Sequence, residues 1–151
     1  MKISTRFSDS IHILAFINIY AGKIPLTSTN IAGSVETSPV VVRRLMSQLR
    51  KAGLITTIHG AADPQLAKDP SEISLYDIFL AVEGDSHLFA VDPKTNPECV
   101  VGGNIQETLT AYYRQAEVAA EAKLAQISLQ DIINTVLVKQ AQKEAQQRKE
   151  E

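Results

Sequence analysis

Apolar positions in this chain recur at helical spacing over most of its length, with one short break into extended structure near the middle. The first helix is expected from Asp9 or Ser10, either of which can cap it, to about Ala21, with Gly22 as its stop and residues 1–8 as a polar lead. Its sequence, SIHILAFINIYAG, is apolar nearly all round through Ile11, Ile13, Leu14, Ala15, Phe16, Ile17, Ile19 and Tyr20. A helix buried on one side shows a stripe, so this one should touch two surfaces, its own core and a second subunit. His12 on such a helix reads as a packed side chain rather than a ligand.

The segment from Leu26 to Ile55, LTSTNIAGSVETSPVVVRRLMSQLRKAGLI, reads as two short helices joined by a turn of three or four residues. Thr27 or Ser28 caps the first, which turns Ile31, Ala32 and Val35 inward. Ala32 is small where two crossing helices must approach closely. Ser38 caps the second, and Pro39 suits its first position because the missing N–H would be unpaired there anyway. Val42, Leu45, Met46, Leu49 and Ala52 then form an inward stripe, with Val40, Arg43, Arg44, Ser47 and Lys51 opposite. No acid lies between Ser38 and Ile58, whereas Arg43, Arg44, Arg50 and Lys51 all do. A short helix followed by a basic, solvent-facing one is the layout of a DNA-reading helix-turn-helix. One position is awkward. The turn carries Glu36 where Gly is common, so either Glu tolerates an unfavourable backbone angle there or the turn is rearranged.

Leu54 to Ile58 is expected to be a strand, the segment 59–64 a hairpin tip and Gln65-Leu66-Ala67 a return strand. That hairpin is a wing, with His59 and Lys68 within reach of phosphate. Ser74, spaced as in a capping box with Asp77, starts a helix over Leu75–Val82. Leu75, Ile78, Phe79 and Val82 should close the core beneath the wing. Residues 84–103, rich in Pro, Asn, Asp and Gly, read as a long ordered loop pinned by Leu88, Phe89, Val91, Val100 and Val101. Asn104 then opens a long helix to about Gln126 whose seam is Ile105, Leu109, Tyr112, Ala116, Ala120, Leu124 and Ile127. Ser128 and Asp131 open a last helix with Leu129, Ile132, Ile133, Val136 and Leu137 inward, before a fraying polar tail. The long seam outruns the small domain before it, so a homodimer is expected, with Ile105, Leu109, Tyr112, Ala116, Leu124, Ile13 and Ile17 at the two-fold interface. The fold class is mainly α with a small β wing. It divides into a winged helix-turn-helix DNA-binding domain (1–84), an irregular loop serving as sensor region (85–103), and dimerisation and C-terminal helices (104–151).

Charge sharpens this picture. Over 151 residues the net charge is −2, but residues 1–60 hold seven basic and two acidic side chains, a balance of +5, while the remainder is at −7. One half is thus suited to a polyanion and the other is not. A single Cys excludes a disulfide framework and suits a reducing compartment, and no stretch approaches a membrane span, so a cytoplasmic protein with no membrane partner is expected. No nucleophile–base pair, phosphate loop or carboxylate pair stands at a useful spacing, which argues against an enzyme.

The candidate DNA contacts are therefore Thr27, Ser28, Ser38, Val40, Arg43, Arg44, Ser47, Lys51 and His59, and the expected partner is double-stranded DNA. An alternative is a protein-interaction adaptor that keeps the fold without specific DNA binding, although it leaves the outward arginines unexplained. Three segments carry a resemblance: PVVVRRLMSQLRKAGLI (39–55), LAKDPSEISLYDIFLAVEG (66–84) and NPECVVGGNIQETL (96–109). In these the chain resembles the IscR/NsrR/CymR superfamily of bacterial winged helix-turn-helix regulators, the Rrf-two family. The resemblance implies a dimer on a palindromic operator, one recognition helix and wing per subunit, with the helix over 104–126 spanning the partners. Family members that sense through an iron–sulfur cluster use three Cys before the long helix, where this chain has only Cys99. His59 and His87 do not complete a site, so neither metal nor cofactor is expected and the chain falls in the cluster-free branch. Its wing also lacks the family's Gly-Gly tip. The signal is then expected at Cys99, a redox thiol five residues before the Asn104 cap, or from an unknown small-molecule effector between the loop and the long helix. Against the thiol stand the adjacent Glu98 and the usual fate of a lone Cys, here packing beside Val100 and Val101.

Overall fold

The first helix begins earlier than expected: Ser4 caps it by accepting from Arg6 N–H, and a distant acid braces that cap. In the computed structural model, which describes residues 4–57, 63–84 and 87–151, α1 spans Thr5–Tyr20 with Ser4 as its cap. Ser4 Oγ donates to Glu83 Oε1 at 2.7 Å, and Arg6 reaches Glu83 Oε2 at 3.3 Å. The expected polar lead is therefore helical from residue 5, and the Asp9 or Ser10 cap is corrected. Ile13, Leu14, Ala15, Phe16 and Ile17 are buried within the chain itself, against α2 (Ser28–Val35), α3 (Pro39–Lys51), α4 (Leu75–Glu83), α6 (Leu129–Glu150) and the wing. Internal packing thus accounts for the apolar girth of α1. It also removes Ile13 and Ile17 from any intersubunit surface.

The wing is a two-stranded antiparallel ribbon, β1 (Ile55–Thr56) and β2 (Gln65–Leu66), in register Ile55↔Leu66 and Thr56↔Gln65. It is shorter than expected: Ala67 lies outside β2, although its N–H still reaches Leu54 O at 3.0 Å. Residues 58–62, including His59 and the hairpin tip, lie outside the described residues. Leu75, Ile78, Phe79 and Val82 of α4 are buried as expected, on a helix packed against α1, α3 and α5 (Ile105–Gln126).

Two capping boxes lie back to back. Ser74 with Asp77 starts α4, and Ser128 with Asp131 starts α6. Between them Leu75 N–H donates to Ile127 O (2.9 Å) and Leu129 N–H to Ile73 O (2.8 Å). This clasp turns the chain sharply between α5 (Ile105–Gln126) and α6, and seats Leu129 and Ile133 in the core. Past Ile133 the last helix runs free. Val136 and Leu137 are exposed rather than inward, and the polar tail stays helical to Glu150 instead of fraying at its start.

The long helix α5 buries a single residue, Glu117. Leu124 and Ile127 pack against the core, but Tyr112 is 64 % exposed and Ala116 is exposed too, so the expected seam is only half covered within one chain. Asn104 does not cap α5 with its side chain; its amide donates to Val100 O at 2.8 Å instead.

Candidate nucleic-acid interface

The junction between α2 and α3 is built from local hydrogen bonds that the residue types dictate. Thr27 Oγ1 accepts from Asn30 N–H at 3.1 Å and caps α2, with Ser28 half-buried behind it. α2 closes at Glu36, which adopts the left-handed conformation (φ 61, ψ 51), while Glu36 N–H and Thr37 N–H (3.1 Å) both reach Ala32 O. Three residues, 36–38, separate the helices. The awkward glutamate of the sequence is therefore present as a strained αL residue rather than a rearranged turn. Ser38 Oγ then accepts from Val41 N–H at 3.3 Å, and Pro39 occupies the first helical position.

Core contacts determine which way α3 faces. Val42, Leu45 and Leu49 are essentially inaccessible, and Met46 packs partly against them. Ala52, expected inward, is exposed because α3 ends at Lys51 and the chain departs through Gly53 at φ +78. With that stripe buried, Val40, Arg43, Arg44 and Lys51 are exposed and Ser47 is half-exposed on the opposite side. Among the described residues the ion pairs are Arg6–Glu83, His87–Glu117, Arg114–Glu117 and Arg114–Glu121, none of them on α3. Arg50 donates to Thr57 Oγ1 at 3.5 Å, and so leans toward the wing. The candidate contacts Thr27, Ser28, Ser38, Val40, Arg43, Arg44, Ser47 and Lys51 thus share the helix-turn-helix, while His59 lies outside the described residues.

The segment before α5 is a second constructed feature. Its chain folds on itself through Gly103 N–H to Cys99 O (2.8 Å), Cys99 N–H to Asn96 O (3.2 Å) and Thr95 Oγ1 to Gly102 O (2.6 Å). A side chain at Gly102 would meet the Asn96 carbonyl oxygen, and one at Gly103 would sit 2.8 Å from Pro97 O, so both positions need Gly. Cys99 is exposed, as are Val100 and Val101, which corrects the expectation that these valines pin the loop. The backbone N–H of Gly102, and secondarily that of Val101, hold the Cys99 thiol below its ordinary value. The thiolate is thus favoured by its own turn.

Phe89 does anchor the loop, its ring 5.3 Å from Tyr113 on α5. Sequence reading missed the polar group beside it. Burial pushes the Glu117 carboxyl up, but donation from His87, the Phe89 backbone and Arg114 outweighs it and leaves the pKa lowered. His87 Nδ1 stands at 3.3 Å and Arg114 Nη1 at 3.5 Å. An acid on a helix with an i−3 arginine was the only available signal, and such pairs are usually solvent-exposed. Phe89, Ala90, Val91, Thr110 and Tyr113 line a cleft of about 540 Å³ beside this cluster. No helix among the described residues is long and apolar enough to cross a membrane.

Comparison with known proteins agrees with this geometry. The Rrf2 family model, described as an iron-dependent transcriptional regulator, matches residues 3–135. YwnA of Bacillus subtilis, named as an HTH-type transcriptional regulator, is 41% identical over 132 residues, covering 87% of this chain and 97% of YwnA. A crystal structure described as that of a DNA-binding protein superposes with a TM-score of 0.69 at 38% identity, covering 85% of this chain and 98% of the other. CymR, the global cysteine regulator of B. subtilis, superposes with a TM-score of 0.65 at 25% identity, over 89% and 97% of the two chains. The iron in the family's description does not fit the donors present. Cys99 is the chain's one thiol, and among the described residues no three His, Cys, Asp or Glu side chains cluster to hold a metal.

Proposed function

This chain belongs to the Rrf2 family of transcriptional regulators, and from that premise we propose that it is a repressor that binds a palindromic operator as a homodimer, with α3 in the major groove. The observation that carries this reading is the outer face of α3. Arg43, Arg44 and Lys51 are exposed and pair with no acid among the described residues, on a helix oriented by its own buried stripe. Unpaired cations on a helix face attract phosphate, and an arginine near the helix start reads guanine through its fork of N–H donors. Thr27 and Ser38, at the starts of two helices, stand where phosphate oxygens meet helix N-termini.

The dimer is supported by what one chain leaves uncovered. Tyr112 and Val118 on α5, and Val136, Leu137 and Val138 on α6, remain exposed on helices that bury little alone. A two-fold pairing across these helices sets two recognition helices about 34 Å apart, one turn of DNA. Signal input belongs to the 87–103 segment, through the Cys99 thiol or a small ligand in the adjacent cleft, because this segment abuts the start of α5 and needs no iron–sulfur cluster to move it.

The test is a mobility-shift titration of the full chain on duplexes selected from a random pool, at several salt concentrations. Wild type should show affinity falling steeply with salt. The Arg43→Ala, Arg44→Ala double variant should lose at least about tenfold in affinity while its melting temperature stays put. A folded double variant with unchanged affinity would refute the placement of α3. Failure of the wild type to retain any duplex would leave the adaptor reading in its place.

A further inference from the structure

Three consecutive valines open α3, and the fold uses only two of them. Val42 is fully buried and Val41 packs partly against the core. Val40 is 54 % exposed and belongs to no apolar cluster among the described residues. Nothing in local energetics selects valine there, since β-branched residues are poorer helix formers than Lys, Gln or Ala at an exposed site. Yet Val40 stands in the first turn of the helix, one turn before Arg43 and Arg44, on the same outward face.

We propose that Val40 is a specificity-determining residue that reads the 5-methyl group of a thymine one or two base pairs from the guanine taken by Arg43 or Arg44. This rests on α3 reading DNA and adds to it what the half-site must contain. The spacing follows from helix geometry. Three or four residues at about 1.5 Å each advance roughly 4.5–6 Å, between one and two base-pair steps of about 3.4 Å. Thymine is the one base with an apolar group in the major groove, and an apolar side chain is the group that recognises it. Valine is also suited to this role by stiffness. Its χ1 is held to essentially one rotamer in a helix, so its two methyl groups are presented without rotamer entropy to lose on binding.

The experiment begins with duplexes selected from a random pool by the full-length protein. Each thymine of the recovered half-site is then replaced in turn by deoxyuridine, which removes only the methyl group. Wild type should lose about three- to fivefold in affinity at one thymine near the guanine, the worth of one buried methyl. The Val40→Ser variant should bind the thymine duplex correspondingly more weakly and be indifferent to thymine or uracil at that position. Because Val40 supports nothing in the core, this variant should keep the wild-type melting curve. The proposal is overturned if a specific site is recovered with no thymine within two base pairs of a contacted guanine. It is equally overturned if the uracil penalty persists undiminished in Val40→Ser. Recovery of no specific duplex at all would defeat the DNA-reading assignment itself, and this proposal with it.

Discussion

Replacing Glu36 by Gly should stabilise the protein and strengthen DNA binding together, for two separable reasons. Glu36 sits at φ 61, ψ 51, the one non-glycine positive φ among the described residues. An L-residue pays about 1–2 kcal/mol in this conformation, while Gly pays about 0.5–1 kcal/mol in extra chain entropy on folding. The balance favours Gly by roughly 0.5–1 kcal/mol. Glu36 is exposed and its side chain forms no ion pair among the described residues. The control is Glu36→Ala, which removes the same charge but keeps Cβ, and should remain within about 0.5 kcal/mol of wild type. Urea unfolding at one fixed protein concentration should give the midpoint order Glu36→Gly above Glu36→Ala, with equal slopes. Charge gives the second effect. A carboxylate about 10 Å from a phosphate in water repels it by roughly 0.4 kcal/mol, so both variants should bind duplex about twofold more tightly per half-site at low salt. A Glu36→Gly midpoint at or below that of Glu36→Ala would refute the strain argument. Unchanged affinity in both would show that this turn does not face DNA.

Ser10 is fully buried and its hydroxyl has no hydrogen-bond partner among the described residues; Ser10→Ala should raise stability by about 1 kcal/mol in thermal or urea unfolding, and a loss would mean the hydroxyl is satisfied. Cys99 alkylation should be half-maximal at a pH below the ordinary thiol value of about 8.5, because the Gly102 and Val101 N–H groups favour thiolate. The Gly102→Ala variant, which cannot keep that turn, should return the midpoint toward 8.5, and identical midpoints would count against the turn as the cause. Leu137→Asp with Tyr112→Asp should shift sedimentation of the full chain from dimer toward monomer, raising the dissociation constant at least about tenfold with helix content unchanged. A monomeric wild type at micromolar concentration would remove the dimer, and with it the palindromic operator.

Much of the helix-turn-helix half was legible in the residues because its signals are local. Thr27, Ser38, Pro39, the Ser74–Asp77 pair and the 42–45–49 spacing each act within one turn of helix, where side-chain chemistry meets its own backbone. At Glu36 the sequence offered either an unfavourable backbone angle or a rearranged turn, and the structure takes the first. The candidate face of α3 followed from the same stripe, as the complement of what must be buried.

What escaped the sequence was decided by partners far along the chain. Ser4 caps α1 locally, but the brace on that cap comes from Glu83, 79 residues away, and the burial of Ile13 and Ile17 depends on α4 and α6 closing over them. Hydrophobic periodicity reports that a face is covered and is silent on whether its own chain or another covers it. For the same reason the seam on α5 and Val136 and Leu137 of α6 were expected to be covered, yet only the residues next to the clasp between Ile73–Leu75 and Ile127–Leu129 reach the core, and Tyr112, Ala116, Val136 and Leu137 stay exposed. The buried Glu117 needed His87 and the Phe89 N–H brought across by the loop, 30 and 28 residues distant. Local capping and periodicity are properties of a single segment and can be read from it. Which apolar face meets which, and which acid finds its donors, is decided only when distant segments pack.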